Sequence, residues 1–151
     1  TTSCANEENE PSTRSMQSDT LQEKLESLRR CIARLESKKP KSLEALEEDI
    51  DLQDIIAINL ERAIQLCVDS ASIIISDTDA KAPQTMSDCF RRLSETQKLD
   101  PILAERLIQA VGFRNLSVHA YDKIDWEIVY RILDSNLADL KAFAATIARS
   151  L

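Results

Sequence analysis

Apolar positions along this chain recur at spacings of three and four, which is the period of an amphipathic helix. The first such stripe is Leu21, Leu25, Leu28, Ile32 and Leu35, and it predicts a helix from about Asp19 to about Ser37. Thr20 and Glu23 fit a capping box at its start, and Lys38-Lys39-Pro40 ends it. A second, much longer stripe begins near Ser42 and reaches about Ser76. It runs through Leu43, Leu46, Ile50, Ala57, Leu60, Ile64, Cys67, Ala71 and Ile74, widened by Ile56, Ala63 and Ile75. This reads as one long helix that needs partners along its length.

Asp77-Thr78-Asp79 opens a loop through Pro83. A shorter helix follows from about Thr85 to Leu93, with Met86, Cys89, Phe90 and Leu93 inward. Asp100-Pro101 is a good cap followed by proline at the first helical position, and it starts a helix carrying Leu103, Leu107, Ile108 and Val111. The last helix starts near Asp125, with the stripe Val129, Ile132, Asn136, Leu140, Phe143 and Ile147. The polar, aperiodic stretch 1–17 is read as a disordered leader or a cloning remnant, and 18–151 as a single helical domain. The expected fold is all-α, a bundle of about five helices with one long second helix.

Composition supports this. With a single glycine and four prolines, the 151 residues leave few sites for tight hairpins. Cys4, Cys31, Cys67 and Cys89 are far apart and form no metal-ligand spacing, so no zinc site or other cofactor is expected. No apolar run approaches the roughly 20 residues of a membrane span, and no signal peptide is evident, so a cytoplasmic protein is expected. The net charge of −7 weighs against a broad nucleic-acid surface and leaves room only for a local basic site.

The segment between the last two helices changes the picture. Residues 111–126 hold the only glycine (Gly112), the only histidine (His119), the only tryptophan (Trp126) and Tyr121, one of two tyrosines. His119 can act as general acid or base. Arg114 offers a planar cationic fork to phosphate oxygens. Asn115 adds an amide and Tyr121 a hydroxyl. Arginine with histidine, without a cysteine nucleophile or paired carboxylates, fits phosphodiester cleavage in RNA, where the 2′-hydroxyl is the nucleophile and no metal is required. Against this stands an ordinary structural role: a helix-end arginine, a core histidine, and aromatic residues that only pack.

Spacing adds a constraint. Five residues apart on a regular helix, Arg114 and His119 would point roughly 140° apart around the axis. For both to reach one phosphate, the segment must bend, with Gly112 the candidate place. A two-fold dimer that sets two copies of the junction side by side would also bring a second histidine.

The longer string GFRNLSVHAYDKIDWEIVY resembles the signature of the HEPN superfamily in its HepT-like branch, written Arg-x4-His-x-Tyr. Here the pattern falls on Arg114, Asn115, His119 and Tyr121. The run from Asp51 to Gln65 is similar to that branch's long helix, and the likeness covers about residues 20–145. The resemblance implies a HEPN-type bundle, a homodimer with facing motifs, and a metal-independent endoribonuclease toxin acting on mRNA or tRNA. It implies as partner a minimal nucleotidyltransferase antitoxin (MNT type) that transfers AMP from ATP onto the motif tyrosine, which would be Tyr121. Arg114 would stabilise the phosphate transition state and His119 would serve as base or acid. Asn115 would orient the phosphate or the histidine. Asn59, Arg62 and Asp69 are further candidates for facing the site. Two competing readings are a non-catalytic module that partners a nucleotidyltransferase and helps bind nucleotide or substrate, and a plain helical dimerisation domain. The intact Arg114/His119 pair favours the nuclease.

Overall fold

The central element is a helix of 27 residues, α3 (Ile50–Ser76), whose buried face carries Ile56, Leu60, Ile64, Cys67, Ala71 and Ile74. Around it in the computed structural model pack α1 (Thr2–Ser37), α4 (Met86–Glu95), α5 (Pro101–His119) and α7 (Leu137–Arg149). Two short helices complete the set: α2 (Leu43–Glu48) and α6 (Trp126–Ser135), which lie against each other. The structure describes the backbone from residue 2 and side chains from residue 16. The leader expected over 1–17 therefore lies almost wholly outside the residues whose side chains are described. Among the described residues the secondary structure is entirely helical, and no helix is long and apolar enough to cross a membrane.

The helices form where the stripes place them. Leu21, Leu25, Leu28, Ile32 and Leu35 are all buried in the shared core. At its centre the rings of Phe90 and Phe143 meet edge to face, with centroids 5.6 Å apart. Thr85 caps α4 by accepting from the Asp88 N–H, and Asp100 caps α5 by accepting from the N–H groups of Ile102 and Leu103. Asp125 caps α6 by accepting from the Glu127 N–H.

Three boundaries differ from the sequence expectation. The long second helix is two helices, because Asp49 adopts an extended conformation (φ −113°, ψ 96°) that closes α2 and caps α3 by accepting from the Leu52 N–H. The Gln53 amide then donates to the carbonyls of Leu46 and Glu47, binding the open end of α2. The kink swings Ile50 out of the stripe, leaving it 71% exposed. The last helix is also two. Asn136 interrupts it, and its side-chain amide donates to Asp139, which also accepts from Arg106. The capping box at Thr20 is absent: Thr20 lies inside α1, where its hydroxyl donates to the Met16 carbonyl. Among the described residues seven α-helices thus stand where about five were expected.

α4 ends in a left-handed residue that is not glycine. Gln97 has φ 62°, and the N–H groups of Gln97 and Lys98 donate back to Ser94 and Leu93. This is the Schellman arrangement with glutamine in the glycine position.

Candidate active site at the end of α5

α5 is regular helix from Pro101 to His119 and passes through Gly112 without a break. The expected bend at Gly112 is not there, because nothing in the backbone interrupts the ladder before Ala120. At Ala120 (φ −150°, ψ 57°) the helix stops, with the Ala120 N–H still donating to the Leu116 carbonyl at 2.8 Å. A single 3₁₀ turn, Tyr121–Lys123, follows, pinned by buried Ile124. The motif therefore lies on two elements: Arg114, Asn115 and His119 on the last turns of α5, and Tyr121 on the turn that redirects the chain.

On this regular helix Arg114 and His119 point about 140° apart and are separated by about 7.5 Å of rise. Arg114 is half-buried. Its Nε is buried without a hydrogen-bond partner, while its Nη1 donates to the Asn115 side-chain oxygen at 3.2 Å. His119 faces solvent. No hydrogen bond joins the two among the described residues.

Tyr121 is anchored from two sides. Its hydroxyl donates to the Asp54 carboxylate of α3 at 2.5 Å, and its ring meets Trp126 edge on, with centroids 6.0 Å apart. Partial burial, together with the bond to Asp54 and its negative charge, pushes the phenol up to about 12. The residue remains 41% exposed, so the hydroxyl is held in one place yet within reach from outside. One turn back, buried Ser117 donates to Glu61 at 3.4 Å, a second polar link between α5 and α3.

The ribonuclease HepT-like family model matches residues 21–147, which takes in α3, the α5 motif and the Tyr121 turn together. The chain belongs to the ribonuclease HepT-like family. It is 29% identical over 129 residues to the mRNA nuclease HepT of Shewanella oneidensis, covering 85% of this chain and 96% of that protein. Two solved structures are similar to this HepT-like chain throughout. One is a tri-AMPylated Shewanella oneidensis HEPN toxin in complex with an MNT antitoxin, at TM-score 0.81 and 28% identity. The other is a toxin–antitoxin structure with AMP-PNP, at TM-score 0.81 and 27% identity. Each comparison covers 87% of this chain and 98% of the other.

The remaining candidates of this HepT-like chain lie elsewhere on α3. Asn59, Arg62 and Asp69 line a groove between α1 and α3 together with Arg30 and Arg34. The Asn59 amide donates to the Ile55 carbonyl, and Asp69 is engaged by Gln65 and Lys24. Among the described residues no bond connects these three to the motif. Two site residues escaped the sequence reading: Asp54 and Glu61. Their spacing of seven puts both on one face of α3, but only the fold shows that α5 and its following turn cover that face. Among the described residues, no group of three or more His, Cys, Asp or Glu side chains converges as a metal site would need.

Proposed function

We propose that this chain is an endoribonuclease toxin that cleaves mRNA or tRNA without a metal and is silenced by adenylylation of Tyr121. The reading is carried by one observation: Arg114, Asn115 and His119 crowd the last turns of α5, beside an accessible tyrosine hydroxyl held by a carboxylate. The likeness to a named mRNA nuclease supports the same chemistry.

In the proposed reaction the RNA 2′-oxygen attacks the adjacent phosphorus, a cyclic phosphate forms, and the 5′-oxygen leaves with a proton. His119 takes the 2′-proton in one chain, and its counterpart in a second copy protonates the leaving oxygen. Arg114 neutralises the charge that builds on the phosphate, and Asn115 holds the guanidinium in place. The wide angle between Arg114 and His119 on straight helix supports a homodimer, in which each phosphate meets residues of both copies. The partner proposed for control is a minimal nucleotidyltransferase antitoxin. In that step the Tyr121 oxygen attacks the α-phosphorus of ATP, pyrophosphate leaves, and Asp54 accepts the phenolic proton. AMP on Tyr121 would place a bulky negative group in the path of RNA. The setting is the cytoplasm, where RNA and ATP both stand.

The test is expression of the wild type and His119→Ala, each with and without the antitoxin. Wild type alone should cleave RNA and stop growth, and His119→Ala should lose about 10²–10⁴-fold of the cleavage rate. Co-expression should add about 329 Da per AMP to the intact mass, and Tyr121→Phe should abolish the addition at that residue. Equal growth and no cleavage in both forms would return the chain to the non-catalytic binding module.

A further inference from the structure

Gly112 is the one glycine of the chain and sits in the interior of a straight helix, where glycine is less favourable than alanine. Its backbone is ordinary helix, so no left-handed conformation requires it. A Cβ built there would meet no atom within 4 Å, so no close packing inside this chain requires it either. What asks for a bare helix surface is close approach by something outside the chain.

Gly112 opens onto a recess of about 480 Å³ between α5 and α6, within the size range of small-ligand sites. The floor is Leu60 and Ile64 of α3, and the walls are Phe113, Leu116, Ile128 and Ile132. Its lip carries three cations, Lys123 on the 3₁₀ turn, Arg106 and Arg131, and one carboxylate, Asp125. Both arginines are ion-paired, Arg106 with buried Asp139 at 3.2 Å and Arg131 with exposed Glu127 at 2.7 Å, so among the described residues Lys123 is the lip cation without an ion pair. An apolar slot with the Lys123 ammonium at its lip fits a flat base with its phosphate outside, beside that cation. Gly112, Leu116 and His119 follow one another at spacings of four and three, so the recess and His119 share one strip of α5. Gly112 lies about 10 Å down that strip from His119, on the scale of neighbouring nucleotides in a splayed-out strand.

We propose that this recess is a nucleobase subsite, which seats a base flanking the scissile phosphate and gives the enzyme a preference among RNA sequences. The inference rests on the ribonuclease reading above and assigns it a specificity element. A second copy of this chain is the competing occupant, and the oligomeric state of the variants distinguishes the two.

Calorimetric titration of the four nucleoside monophosphates into the full chain tests it. Wild type should bind one base at least about tenfold more tightly than another, a preference of about 1.4 kcal/mol. Gly112→Leu, which fills the recess from α5, and Ile132→Trp, which fills it from α6, should each abolish that preference. The same variants should flatten the sequence preference of RNA cleavage, read as the ratio of kcat/KM between best and worst flanking base. Gly112→Ala should melt higher than wild type, showing that the site tolerates side chains and that lost binding is not lost folding. Equal binding by wild type and both filled variants would overturn the proposal. So would variants that bind no nucleotide differently but change the oligomeric state, since the recess would then seat a second copy. If wild type cleaves RNA with no base preference and binds no nucleotide, the subsite fails and the ribonuclease stands. If nucleotide binds at the recess and no RNA is cleaved, the ribonuclease reading fails and takes with it the subsite's place beside a scissile phosphate, leaving only a nucleotide-binding recess.

Discussion

The two ends of α5 are built on opposite principles. Its N-terminal half is tied into the bundle by conventional means: an Asp100 cap, proline at the first turn, and Ala104, Leu107 and Val111 turned into the core. Its C-terminal end departs from those means. Arg114 buries an Nε with no acceptor, Gly112 weakens the helix without easing any contact, and His119 stands in solvent just before the chain turns. A buried donor left without a partner costs about 1–3 kcal/mol, and such placements persist where something other than stability selects them. The contrast teaches that the proposed site of this bundle is marked by residues the fold would be better off without.

Substitutions at the two ends should therefore fail in opposite ways. Phe143→Ala, in the core that the first half of α5 joins, should lower unfolding free energy by about 3–5 kcal/mol in urea titrations, with activity per folded molecule unchanged. Arg114→Met should do the reverse. Cleavage should fall by about 10²–10³-fold while the melting temperature holds or rises, since an unmet buried donor is removed. A melting temperature several degrees lower would erase the contrast.

A finer test addresses Tyr121. The folded protein should keep its phenolic proton until pH approaches about 12, whereas the unfolded chain releases it near 10.0. The folded pKa is raised, so the stabilising contribution is complete below pH 10 and is lost as pH rises through about 12. Phenolate absorbance, compared with Tyr121→Phe, should show this group titrating above the ordinary tyrosine value. Asp54→Asn should return it toward its ordinary range and slow adenylylation. The smallest effect lies far from the site: Gln97→Gly should relieve the left-handed residue after α4 and raise stability by about 1 kcal/mol.

Much of this was legible in the sequence because it is local. Stripes at spacings of three and four are one-dimensional images of buried faces, and the caps at Thr85, Asp100 and Asp125 act within three residues of themselves. The motif residues were legible as scarce types in one short segment. What was not legible depends on contacts across the fold. The hydrophobic stripe runs straight through Asp49 and takes no notice of it, yet the chain breaks there because α2 leaves α3 to pack on α6. The partner of Tyr121 is 67 residues away in sequence, and no spacing connects it to Asp54. Gly112 was read through its conformational freedom, whereas its use here is the absence of a side chain.

Cys67 lies at the middle of α3, fully enclosed, and burial pushes its thiol far above the usual range. Because only the thiolate reacts, this sulfur is silent while the bundle is closed. Cys31 sits at the edge of the α1–α3 groove, where Arg62 and Arg30 partly offset the effect of burial. The chain therefore carries two internal clocks. Alkylation of Cys31 would time the separation of α1 from α3, and alkylation of Cys67 would time the opening of the whole bundle. Comparing the two rates before and after adding the proposed antitoxin would show whether its control works on the surface alone or also slows the breathing of the interior.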